Sequence, residues 1–147
     1  MDLHLERASE ENEEALLALS LYPNQEHFIE TVRECLDEAK DEARWVPVGI
    51  YDGETLVGFA MYGYFSDETE SVWMDRLLID KAYQGRGYGK EAVRLLLEVL
   101  KESYPADKIF LSVYEDNPVA ISLYKKMGFF FNGALDTKGE KVMEYDI

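Results

Sequence analysis

At 147 residues the chain has the size of one domain with one core, with no second unit, internal repeat or linker. Its 30 acidic and 15 basic residues leave a net charge of −15, which repels nucleic acid and anionic membranes and favours cationic partners. No apolar run reaches the ~20 residues of a membrane span, and the acidic start Met1 to Glu14 lacks the basic and apolar regions of a secretion signal, so a soluble cytoplasmic protein is expected. A single cysteine, Cys35, excludes an internal disulfide, and His4 and His27 offer no metal-ligand spacing. All three read as structural residues, and no metal is expected.

Leu3 to Arg7 alternates as a short strand, and Ser9 followed by Glu10, Glu11 and Glu13 predicts a capped helix through Leu19. Tyr22-Pro23-Asn24 breaks it. Phe28, Ile29, Val32, Leu36 and Ala39 then predict one helix from about Gln25 to Glu42, with Glu30, Glu34 and Asp37 on an acidic face. That face is either a solvated surface or an attractor for a cationic substrate, since residues 1–42 hold 13 acidic and 3 basic side chains. Trp45 to Tyr51 and Leu56 to Phe65 flank Asp52-Gly53 as a strand hairpin, and Ser66 to Glu70 reads as an acidic loop. Val72 to Ile79 is a buried strand.

Downstream, Ala92, Val93, Leu96, Leu97, Val99 and Leu100 recur at the spacing of an amphipathic helix of about four turns. Lys108 to Tyr114 is a strand, Asn117-Pro118 opens a helix that Gly128 ends, and Phe129 to Asn132 pairs with Lys141 to Tyr145 around a loop. The order β-α-α-β-β-β-α-β-α-β-β indicates an α/β or α+β domain with a mixed sheet.

Gln84-Gly85-Arg86-Gly87-Tyr88-Gly89-Lys90 joins the strand ending at Ile79 to that long helix. A helix N-terminus carries unpaired N–H groups and roughly half a positive charge, and glycines let a phosphate approach the backbone. Arg86 and Lys90 add cations, so a phosphate or pyrophosphate ligand is expected. A P-loop is excluded because Glu91 follows Lys90 and Gln84 stands five before Gly89, and a dinucleotide fingerprint fails because Lys90 replaces its last glycine. A glycine-rich turn without ligand is the bland alternative.

The loop, through Gln84, Gly87 and Gly89, resembles the acetyl-CoA loop [QR]-x-x-G-x-[GA] of the GNAT superfamily of N-acetyltransferases. The run Asn117 to Phe129 is similar to the family's N-x-x-A-x-x-[LF]-Y-x-x-x-G-F segment, and the element order is also that of the family. Leu21 to Glu38, Pro47-Val48-Gly49, Trp73 to Arg76 and Phe131 to Asp136 further resemble its bacterial spermine/spermidine acetyltransferases. The resemblance implies a mostly antiparallel mixed sheet flanked by helices with splayed central strands, and acetyl-CoA as co-substrate. It implies that backbone of Leu77, Leu78 and Ile79 binds pantetheine, that Arg86, Gly87, Tyr88, Gly89 and Lys90 with Gln84 and Gly85 hold the pyrophosphate, and that Asn117 and Lys126 assist.

The resemblance also gives Tyr124 the role of general acid to the departing thiolate, although a ring packed in the core is its plain alternative. For the proton acceptor the candidates are Asp75 and Glu115, with Asp75 otherwise explained by a salt bridge to Arg76 or Arg44. Glu34, Asp75 and Glu115 are the candidate contacts for the amine. The expected reaction is acetyl transfer to a small polycation such as spermine or spermidine. Another amine, in a peptide, a lysine or an aminoglycoside, and a non-catalytic acyl-CoA-binding module stay open, and homodimerisation is compatible with the resemblance without an identified interface.

Overall fold

The computed structural model describes residues 1–64, 71–136 and 138–147. The seven strands are β1 (Leu3–Arg7), β2 (Trp45–Asp52), β3 (Thr55–Tyr64), β4 (Val72–Ile79), β5 (Lys108–Val113), β6 (Phe130–Leu135) and β7 (Lys141–Asp146). They form one sheet in the order β1-β2-β3-β4-β5-β7-β6. Every neighbouring pair is antiparallel except β4 and β5. The helices are α1 (Glu13–Leu17), α2 (Val32–Asp41), α3 (Tyr88–Ser103) and α4 (Pro118–Lys126). The expected element order and mixed sheet are present.

Apolar side chains fill both faces of the sheet. Phe59 and Met61 of β3 pack with Leu16 of α1 and with Val32, Cys35 and Leu36 of α2. Ala60 and Tyr62 of the same strand join Ala92, Val93, Leu96, Leu97 and Leu100 of α3 on the other face. This is the period-2 alternation of a strand covered on both sides. Cys35 is fully buried, and burial pushes its thiol up to about 12, so it is inert core.

The acidic N-terminal region departs from expectation. The helix predicted from Gln25 to Glu42 is two elements: a 3₁₀ helix over Pro23–Phe28 and α2. Ile29 and Thr31 between them are extended, and Thr31 caps α2. The Glu34 N–H donates to Thr31 Oγ1 at 3.2 Å while Glu34 Oε1 accepts from the Thr31 N–H at 3.2 Å, a reciprocal capping box. The first helix is likewise shorter than predicted. Asn12 accepts from the Ser9 N–H at 2.8 Å and donates to the Arg7 carbonyl at 3.1 Å, so the capping signal at Ser9 makes a turn and α1 begins at Glu13. The predicted loop Ser66 to Glu70, and Phe65 before it, lie outside the described residues. Among the described residues no helix is long and apolar enough to cross a membrane.

Candidate active site

The sheet opens between β4 and β5. Their parallel ladder has only two positions, Val72 with Ile109 and Trp73 with Phe110, after which the strands diverge. A cleft of about 490 Å³ lies in the gap, lined along β4 from Met74 to Ile79 and along β5 from Leu111 to Val113. The resemblance implied this splay, and residue-level patterning alone did not give it.

A bulge sets the lining. Met61 of β3 faces Arg76 and Tyr62 faces Met74, so Asp75 is the extra residue of β4. A bulge bends its strand and re-aims side chains. Asp75 and Arg76 both reach the cleft, with Asp75 Oδ2 2.8 Å from Arg76 Nη1 and Arg76 Nε 2.6 Å from Glu30 Oε2. Burial pushes Asp75 up to about 6 in spite of the guanidinium. Its ion pair with Arg76 and its place in the lining are therefore both real; Arg44 pairs with Glu42 instead.

The glycine loop closes one part of the cleft. Gly85 and Gly87 have φ of +77° and +87°, left-handed values that only glycine adopts without strain, and Gly87 is the N-cap of α3. The first-turn N–H groups of a 16-residue helix therefore stand where Gly85, Gly87, Tyr88 and Gly89 line the cleft. A Cβ on Gly89 would come 3.4 Å from Leu123 Cδ2, so the loop packs closely on α4. Gln84 braces the loop: its Nε2 donates to the Ile79 carbonyl at 3.0 Å and to Gln25 Oε1 at 2.9 Å, and its Oε1 accepts from Gln25 Nε2 at 3.0 Å. The Tyr88 hydroxyl donates to Asp52 at 2.6 Å.

From β5 the chain enters α4, whose N-cap Asn117 accepts from the Ala120 N–H at 3.3 Å while also lining the cleft. Tyr124 lines it two turns later. Its ring meets Phe129 edge-on at 5.8 Å, and burial pushes its phenol up to about 12. Core packing and a cleft position coexist in this residue, and the phenol is a weaker acid than a free one.

The 3₁₀ helix contributes Asn24, Gln25 and Phe28 to the lining. Phe28 packs on Tyr114 at 6.4 Å, and His27 Nε2 is 3.1 Å from Asp116 Oδ2. Four carboxylates line the cleft: Glu30, Asp75, Asp116 and Glu140.

Several candidates fall outside this lining. Glu34 is exposed and spent on its capping box. Glu115 is exposed and paired with Lys141 at 2.8 Å. Arg86, Lys90 and Lys126 are also exposed and not part of the lining, Arg86 resting over the Tyr83 ring at 5.6 Å. Glu140 and Asp116 were missed because each stands in a connection between elements, where no periodicity marks which way a side chain faces. Among the described residues no cluster of three or more His, Cys, Asp or Glu has the geometry of a metal site.

A splayed parallel pair and a helix N-terminus bared by glycines define a cleft for an extended ligand that carries phosphate. The chain belongs to the acetyltransferase (GNAT) family, whose model matches residues 6–129, and it is an N-acetyltransferase by that membership. It is 43% identical to the spermine/spermidine N(1)-acetyltransferase of Bacillus subtilis strain 168, with 97% of each chain covered. Among solved structures it resembles spermidine N-acetyltransferase from Vibrio cholerae in complex with CoA and spermine, with a TM-score of 0.78, 18% identity and coverage of 99% of this chain and 95% of that one. It also resembles AAC(6')-Ib in complex with paromomycin and acetyl-CoA, with a TM-score of 0.81, 19% identity and coverage of 99% and 94%. At those identities the likeness to the two structures is one of fold.

Proposed function

We propose that the protein transfers the acetyl group of acetyl-CoA to a primary amine of a polyamine such as spermine or spermidine. The observation that carries this reading is the mixed chemistry of one cleft: backbone N–H groups where the glycine loop enters it, and four carboxylates elsewhere in its lining. The near full-length identity to a polyamine acetyltransferase supports the same substrate pair.

In this reading the pyrophosphate of acetyl-CoA lies on the first turn of α3, and the pantetheine runs in the gap along Leu77, Leu78 and Ile79. Its amides take up strand-like hydrogen bonding there, because β5 has turned away. Asn117 borders the same channel. The acidic wall holds the ammonium groups, whose separation along a polyamine suits carboxylates contributed by different elements.

The amine nitrogen attacks the thioester carbonyl, the C–N bond forms, the C–S bond breaks, and the electron pair leaves on sulfur. Tyr124 gives that sulfur its proton and is reprotonated as the new amide nitrogen loses one. With its phenol pushed up to about 12, Tyr124 keeps its proton across the working pH range and supplies no alkaline limb near neutrality.

Purified protein with acetyl-CoA is tested against spermine, spermidine, an aminoglycoside and lysine-containing and N-terminal peptides, reading free thiol. Release with the polyamines supports the proposal. Background release with both polyamines overturns it, and selective release with another amine replaces the acceptor.

A further inference from the structure

The four carboxylates of the cleft are not equivalent. Glu30 is held by two cations, Arg76 and Lys138. Asp75 is engaged by Arg76, and Asp116 by His27. Glu140 differs, because the neighbour that acts on its charge most directly is another acid, Asp136, whose backbone and side chain are bonded to the Glu140 backbone. The backbone enforces this pairing: the Glu140 N–H donates to Asp136 Oδ1 at 2.8 Å, the Asp136 N–H donates to the Glu140 carbonyl at 2.9 Å, and the Lys138 N–H donates to Asp136 Oδ1 at 2.9 Å. Glu140 is also placed by the sheet. Lys141 pairs with Val113, so the residue before it lies beside Tyr114, where β5 has parted from β4.

Neighbouring carboxyls repel when both are ionised, so Asp136 favours the protonated form of Glu140 until a cation arrives. A carboxylate already clasped by a guanidinium or an ammonium has its lone pairs engaged and is a poor proton acceptor. Among the described residues Glu30 and Asp75 are paired with cations and Asp116 is exposed and bonded to the His27 ring, whereas the Glu140 side chain makes no ion pair.

Resting on the acetyl-transfer reading above, we propose that Glu140 is the proton acceptor for the acceptor amine and that Asp136 is its positioning partner. The substrate ammonium gives a proton to the Glu140 carboxylate, directly or through one water, and the neutral amine then attacks. The electron pair of the broken C–S bond leaves on sulfur, Tyr124 protonates it, and the amide nitrogen returns a proton to Tyr124. The net change is one ammonium and one thioester converted to one amide, one thiol and one proton, which Glu140 passes to solvent.

Among the described residues the charged and titratable groups that act on Glu140 are Asp136 and Lys138 from its own loop, Arg76 from β4 and Tyr114 at the end of β5, while Asp75 and Glu30 line the same cleft. Burial and the Asp136 carboxylate raise Glu140 to about 7, while Arg76 and Lys138 oppose the rise. A base must be ionised to act. Turnover therefore climbs as pH rises through about 7, and a polycation that binds the ionised form displaces a proton on binding.

The test uses the full chain. Glu140→Gln is expected to lower kcat for spermidine at neutral pH by about a hundredfold and to abolish the acid limb, with CoA affinity unchanged. Asp136→Asn, which retains a side-chain oxygen for both backbone N–H groups, is expected to keep the alkaline rate and move the acid limb to lower pH. Calorimetry of spermine binding to the CoA complex, in buffers of different ionisation enthalpy near pH 7, should show proton release in the wild type and none in Glu140→Gln. Turnover of Glu140→Gln within threefold of wild type with the same acid limb overturns this inference alone, as does a limb unmoved in Asp136→Asn. A wild-type enzyme that turns over no amine overturns the acetyl-transfer reading and this role with it.

Discussion

The glycine-loop part of the cleft and its acidic wall are built on opposite principles. The first is almost entirely backbone, drawn from one contiguous stretch, and its charge is the partial charge of a helix end. The second is made of side chains at positions 30, 75, 116 and 140, supplied by connections and by one bulge. Backbone sites are fixed by a few torsion angles, whereas side-chain sites depend on every element that carries them. Damage to the first should therefore appear in the donor's KM, and damage to the second in the acceptor's.

The sharpest break comes where the two parts meet. Tyr124→Phe removes a hydroxyl from both readings at once, and kcat is expected to fall about tenfold to a hundredfold while acetyl-CoA affinity, measured by titration, changes little. Gly87→Ala puts a side chain at φ +87°, at a strain of roughly 1–2 kcal/mol. The KM for acetyl-CoA should rise by a factor of about 5–30, with the polyamine KM nearly constant. A loss spread evenly over both would remove the distinction between the regions.

Glu30→Gln is the mirror experiment. It withdraws one acceptor carboxylate and leaves Arg76 less neutralised, so the spermidine KM is expected to rise about tenfold with the acetyl-CoA KM unchanged. The smallest effect belongs to Glu34→Ala. Loss of the capping box is worth ~1 kcal/mol and should lower Tm by about 2–4 °C without altering either KM, which thermal melts and steady-state assays read separately.

The same contrast explains what was legible in the chain. Strand and helix periodicity located β1 to β5, α3 and α4 closely, and the loop from Gln84 to Lys90 announced itself because three glycines before an amphipathic run have few other uses. Helix boundaries in the acidic region were missed although a signal was there. Thr31 and Glu34 stand at capping-box spacing, and the apolar repeat through Phe28, Ile29 and Val32 masked it. The acidic wall was legible at Asp75 and at Glu30, which stood on the acidic face read from residues 30, 34 and 37. Glu115 and Glu140 are alike as sequence: each is an acid in a connection. Only the β5 and β7 pairing turns one toward Lys141 and the other into the cleft.

Gln25 and Gln84 exchange two side-chain hydrogen bonds, tying the glycine loop to the segment that leads into Glu30. In the proposed reading the donor and acceptor subsites are thereby joined by a direct contact. Whatever factor an occupied loop applies to amine affinity, a bound amine must return to the donor, because free energy around a closed cycle sums to zero. In the proposed reading this pair of uncharged amides is the direct mechanical tie between the two subsites.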